Sequence, residues 1–221
     1  RLAEQLKEVG DFKTLSQHHE SKILFATSLG GELGVLKLES LLAIALKYKK
    51  AECYFLLCDG ILPACQLCTY LAFNDRIEKF LEEGPQNLFC PSCYKDARMA
   101  IEVLGFKVLA YTDFLSQKEK DIIQSIIDST KTESIPDFRI DNIPVGEHAL
   151  AGALRFMTRS SLPDTDEGKN ILQRYFDAAL KTTLVTQNLL KQNDFDCVVA
   201  HHGIYVPQGI IVQTARSQKV R

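Results

Sequence analysis

Short apolar runs alternate with longer stretches of helical spacing along this chain. KILFAT at 22–27 predicts a buried strand, and the glycine-rich turn SLGGELG follows it. VLKLESLLAIALKYKK then carries apolar residues at 38, 41, 42, 45 and 46, which is helical spacing, and a second strand is predicted over 52–58. Later in the chain, strands are predicted over 106–111 and 196–201. Helices are predicted over 2–9, near 69–83, over DARMAIEVLG with Gly105 closing its end, over 116–130, 147–157 and 169–192, and from YVPQGIIVQTARSQ onward. Residues 131–146 read as turns and 159–168 as a polar loop. The pattern contains no internal repeat.

Strand, glycine turn, helix and strand in succession make a βαβ unit, whose crossover requires parallel strands. The whole pattern predicts an α/β fold, a Rossmann-like doubly wound parallel sheet forming one domain over 1–221. A cysteine-rich, metal-binding insertion over 58–93 interrupts it. Ligands of such sheets bind at the carboxyl ends of strands. Three features fall there: Gly30-Gly31, Cys58-Asp59-Gly60 and His201-His202-Gly203.

Composition changes this picture little. A formal net charge of -2 over 221 residues gives no support for nucleic-acid binding. No apolar run approaches the roughly 18–20 residues of a membrane span, and no secretory signal is visible, so the expected location is cytoplasmic. Cysteine usage matters more. Of seven cysteines, five lie between Cys58 and Cys93, which in that setting favours metal over disulfides. The first residue is Arg1, and the chain stops at SQKVR where a further strand is due. The expectation is an excised half of a larger protein.

Cys65 and Cys68 form one C-x-x-C, and Cys90 and Cys93 form a second, with 21 residues between Cys68 and Cys90. Two such turns can direct four thiolates at one ion, and a redox pair needs only one. The expected cofactor is a structural zinc, with an iron–sulfur cluster on the same thiolates as the alternative and Cys58 as a substitute ligand. Gly30 and Gly31 read equally as a close approach to ligand and as a tight βα turn. Glu32 reads as compensation of the helix dipole. The pair His201 and His202 ends a strand at the ligand edge, where alternation would send one ring to each side. His202, nearer the turn, is the expected proton acceptor. Glu147 or His148 can share a helix face with Arg155, two turns on.

The segments K-I-L-F-A-T-S-L-G-G-E-L-G, C-D-G-I-L-P-A-C-Q-L-C with C-P-S-C, P-V-G-E-H-A-L-A-G-A-L-R-F and H-H-G-I-Y-V-P-Q-G together resemble bacterial capsule and surface-polysaccharide biosynthesis proteins. These are similar to glycosyltransferases in which two Rossmann-like domains face a cleft. The resemblance covers about residues 22–221 and corresponds to the N-terminal domain. It implies that a nucleotide sugar binds mainly in a C-terminal donor domain missing from this chain, and that this half binds a glycan or lipid-linked acceptor, with peripheral membrane association. Gly30, Gly31, Glu147, His148, Arg155, Tyr205, His201 and His202 are the cleft residues it implies. This half alone is expected to fold without turnover. Two other classes fit the same pattern: a zinc-stapled docking module and half of a nucleotide-sugar epimerase.

Overall fold

The structure is a computed structural model and describes residues 21–69, 73 and 77–221. The helix expected over 2–9 lies outside them. Four strands, β1 (Ser21–Ser28), β2 (Ala51–Leu57), β3 (Lys107–Ala110) and β4 (Cys197–Val199), form one sheet in the order β3-β2-β1-β4. All three pairings are parallel. The expected α/β fold with a Rossmann-like parallel sheet is therefore present.

Alternation along the strands divides the core. Ile23 and Phe25 of β1, with Phe55 and Leu57 of β2, pack under α1 (Leu33–Tyr48) and the helix at Cys90–Val103. Phe25 stacks on Phe55 with ring centroids 4.9 Å apart. Leu24, Ala26, Tyr54 and Leu56 face the other way. There they meet a larger helical layer. Among the described residues the further α-helices, in chain order, are α2 (Ile77–Glu83), α3 (Cys90–Val103), α4 (Gln117–Ser129), α5 (Val145–Met157), α6 (Asp166–Gln192) and α7 (Gln208–Ser217). The long α6 runs through this second layer and is buried along much of its length.

Local chemistry sets the helix ends. Ser116 and Glu119 form a reciprocal capping box on α4, and the Thr165 hydroxyl accepts from Gly168 N at the start of α6. Gly105 follows the end of α3 with φ +76, a conformation that suits glycine. No helix among the described residues is long and apolar enough to cross a membrane.

Three expectations need correction, and one further feature of the packing is new. α3 starts at Cys90 and not at Asp96, where the sequence pattern places it, so the second C-x-x-C lies in a helical turn; Pro91 needs no N–H in a first turn and fits there. β4 ends at Val199, so His201 and His202 stand beyond the strand and strand alternation does not sort them. The apolar stripe of α1 is turned outward: Leu38 is 67 % exposed, whereas Glu39, Ser40, Ala43 and Ile44 are buried. A hydrogen bond from Thr27 to the Glu39 carboxylate selects that face. Finally, the cysteine segment has a core in common with the body of the domain. Phe73 and Phe80 are buried against Phe156 of α5, with Phe80 and Phe156 stacked at 4.5 Å.

Close packing of α5 on α6 depends on Gly152, where a Cβ would overlap the ring of Tyr175. Gly34 of α1, by contrast, has open space around its Cβ position. Gly152→Ala is expected to lower unfolding free energy by about 1–3 kcal/mol through overpacking. Gly34→Ala is expected to be neutral or to add up to about 1 kcal/mol by helix propensity. Urea unfolding of the two variants checks both signs.

Candidate functional site

In a doubly wound sheet the chain leaves one strand in both lateral directions, and the crevice lies where that reversal occurs. Here β1 has β2 on one side and β4 on the other, so the reversal falls between β1 and β4. The loops after those two strands carry Gly30-Gly31-Glu32 and His201-His202.

The two imidazoles meet edge to face with centroids 4.3 Å apart, and both are half-buried. Their surroundings differ. The His202 Nε2 bonds the Gln66 side-chain oxygen, and its Nδ1 faces the Ile204 backbone N–H at 3.4 Å. An accepting Nδ1 and a donating Nε2 define one tautomer, with both nitrogens occupied. Burial, then His201 and Arg155, lower its pKa to about 4. His201 is also lowered by burial, but the nearby Glu32 carboxylate opposes that shift. Its Nδ1 is buried without a hydrogen-bond partner among the described residues.

α5 supports this loop from beneath. His148 is buried, and its Nδ1 lies 2.6 Å from the Ile204 carbonyl oxygen. Gly209 makes room, since a Cβ there would press on His148 and Ile204. Two helical turns on, Arg155 lays its guanidinium over the Tyr205 ring at 4.8 Å. His148 and Arg155 therefore share the face that carries the loop. Glu147 is exposed, and it lines neither of two cavities that open at the loops after β1 and β4. One of these, about 690 Å³, is lined by Arg155, Arg159, Thr158, Ser160 and Tyr205 among others. The other, about 400 Å³, opens beside Gly30, Gly31, Leu67 and Cys93.

The glycine turn serves the cysteine segment. A Cβ on Gly30 would collide with the Cys93 carbonyl and Ala97. Gly31 N donates to Cys93 Sγ at 3.1 Å. The tight-turn reading of Gly30 thus has a specific cause, the close approach of α3. On the first C-x-x-C, Cys65 Sγ and Cys68 Sγ are 3.8 Å apart. Two thiolates about 2.3 Å from a tetrahedral ion stand about 3.8 Å from each other, so this pair has the spacing of one tetrahedral edge. The Tyr175 hydroxyl of α6 lies 3.1 Å from each of the Cys65 and Cys68 carbonyl oxygens and holds the turn in place. Cys68 lowers the Cys65 pKa by hydrogen bonding, whereas burial raises Cys68, Cys93 and Cys58 and pushes Cys90 up to about 12. The charge of Cys65 acts to raise the pKa of each of Cys58, Cys68, Cys90 and Cys93. All are free, and among the described residues no set of three or more His, Cys, Asp or Glu side chains is arranged to hold a metal ion.

Beneath the crevice, Glu39 of α1 accepts from Thr27 Oγ1 at 2.5 Å, and Gln208 of α7 donates to the Thr27 carbonyl at 3.2 Å. Glu39 Oε1 and Gln208 Oε1 are buried without partners among the described residues. Sequence reasoning missed Glu39, Gln66, Arg159 and Tyr175; a glutamate on a helix carries no local sign that tertiary structure will bury it. Comparison with protein-family models and with curated proteins returned no match. The functional reading therefore rests on the geometry of the site and on the motif resemblance.

Burial raises the Glu39 pKa from 4.5 to about 7, with the Thr27 hydrogen bond opposing. The folded state thus binds this proton more tightly than the unfolded chain does. The favourable contribution is complete below pH 4.5 and is lost as pH rises to about 7, a change of roughly 3 kcal/mol at most. The two histidines act in the opposite sense, because their folded pKa values are depressed. Comparing wild type with Glu39→Gln isolates the carboxyl. Denaturant unfolding at pH 5 and 7.5 should show stability falling more with pH in the wild type; equal pH dependence would remove Glu39 as the cause.

Proposed function

We propose that this chain is the acceptor-side half of a glycosyltransferase, with His201 as the proton acceptor. The feature that carries the reading is the placement of His201 and Glu32 in the loops after β4 and β1, on the two sides of the reversal between those strands. A hydroxyl nucleophile in this crevice would give its proton to His201. Its oxygen would form the new bond to the anomeric carbon, and the nucleotide would depart with the electrons of the bond that breaks. Glu32 favours the imidazolium formed in that step, as its effect on His201 indicates. His202 is the weaker candidate despite its place nearer the turn, because Gln66 and Ile204 occupy its nitrogens and its basicity is low. It serves as a positioning residue between the cysteine turn and the crevice. The resemblance to polysaccharide biosynthesis proteins supplies the substrate class, a nucleotide-sugar donor and a glycan or lipid-linked acceptor.

In the transferase that contains this chain, His201→Ala should cost about 100-fold or more in turnover with little change in acceptor KM. His202→Ala should act chiefly on stability and on KM. Full turnover in the His201 variant, with the fold intact by circular dichroism, sinks the assignment.

The reading includes a structural zinc on Cys65, Cys68, Cys90 and Cys93. The 3.8 Å spacing of the first pair and the influence of Cys65 on both members of the second support it, although the four thiols are not arranged to hold an ion as they stand. Zinc would favour the thiolates against the burial that now raises three of the four. Because Phe73 and Phe80 anchor the segment in the main core, metal loss should loosen it without unfolding the domain. Elemental analysis is expected to find about one zinc per chain, and Cys93→Ser to reduce that occupancy. Iron in place of zinc identifies the alternative cluster, and a metal-free, fully folded protein rejects the site.

A further inference from the structure

The larger cavity at the crevice has a chemistry of its own. α5 ends at Met157, and Thr158 takes a left-handed conformation with φ 53 and ψ 44. That turn brings Arg159 and Ser160 to the same cavity as Arg155, one helical turn earlier. Thr69 and Tyr205 complete its polar lining. No carboxylate pairs with Arg155 or Arg159 among the described residues. Arg155 rests over the Tyr205 ring at 4.8 Å, which restricts the freedom it would lose on gripping a ligand.

A positive charge at a helix C-terminus has an ordinary explanation, compensation of the helix dipole. That dipole supplies only about half a negative charge, and two guanidiniums exceed it. The surplus, with the hydroxyls of Thr69, Thr158 and Ser160, forms a donor-rich concavity of about 690 Å³. A lone carboxylate has one charge and two oxygens and would leave much of this lining unused. A phosphate or diphosphate group matches it in charge and in number of acceptors.

We propose that the cavity lined by Arg155, Thr158, Arg159, Ser160 and Tyr205 binds the phosphate or diphosphate group of a phosphorylated ligand. Arg155 lies over Tyr205, whose ring centroid is 5.5 Å from that of His202, so the bound group stands near the histidine pair. On the transferase reading, on which this identification of the carrier rests, the ligand is a phosphorylated acceptor. The phosphate site itself stands on the cavity and does not require transfer activity.

Inorganic pyrophosphate is the probe, titrated into the chain by calorimetry at low ionic strength, with acetate as the comparison anion. Wild type should bind pyrophosphate at least about tenfold more tightly than acetate, and Arg155→Gln and Arg159→Gln should each weaken binding about tenfold or more. Arg159 is exposed, and its variant should keep the wild-type thermal midpoint, which separates lost binding from lost fold. Sedimentation with phosphatidic acid vesicles, against phosphatidylcholine vesicles, distinguishes the carriers: arginine-dependent sedimentation indicates a lipid-borne phosphate, and its absence a soluble one. No pyrophosphate binding, equal binding of acetate, or indifference to both substitutions overturns the proposal whatever the vesicles do. Binding that survives while turnover does not depend on His201 would retain the phosphate site and reject the transferase reading.

Discussion

β1 pairs in parallel with β2 along one side and with β4 along the other, and neither pairing can shift without exposing a buried face. Side chains along β1 alternate between two separate cores, so a slip of one residue would exchange Ile23 and Phe25 with Leu24 and Ala26. This constraint fixes where the loop after β1 meets the loop after β4. The loops that carry Glu32 and His201 lie at neighbouring strand ends because β1 and β4 pair, although the two residues are far apart in sequence.

The cysteine segment is built into this arrangement. Gly30 and Gly31 let α3 approach β1 closely enough for a backbone N–H to reach Cys93. On the other side, Tyr175 reaches from α6 to two carbonyls of the first C-x-x-C, and the neighbouring Gln66 holds His202. One continuous set of contacts therefore joins the thiols, the histidines and the long buried helix. Gln66 lies between Cys65 and Cys68, so the first C-x-x-C also carries the side chain that bonds His202.

The crevice combines unlike environments over a short span. Arg155 and Arg159 are exposed and line an open cavity. Glu39 lies beneath the same strand end, where burial favours its neutral form. The histidines stand between, half-buried, and their neighbours separate them: a carboxylate beside His201, a guanidinium near His202. Two adjacent residues of one type thereby acquire different chemistry from tertiary surroundings alone.

Several features were legible in the chain itself. Alternating apolar runs and helical spacing determine the α/β pattern, since strand and helix periods are local properties. Gly105 and the Ser116–Glu119 capping box mark helix ends through bonds made within a few residues. The paired C-x-x-C turns and the histidine pair stand out because their residue types are unusual at such spacing. Tertiary structure decided the rest. It turned Leu38 outward and Glu39 inward on α1, because Thr27 of a neighbouring strand offered the carboxylate a hydrogen bond. It occupied both nitrogens of His202 and left His201 beside Glu32, and it brought Arg159 to the cavity through one left-handed residue. Partners distant in sequence determine the burial, charge and hydrogen bonding of a site, and no local pattern encodes which partners those are.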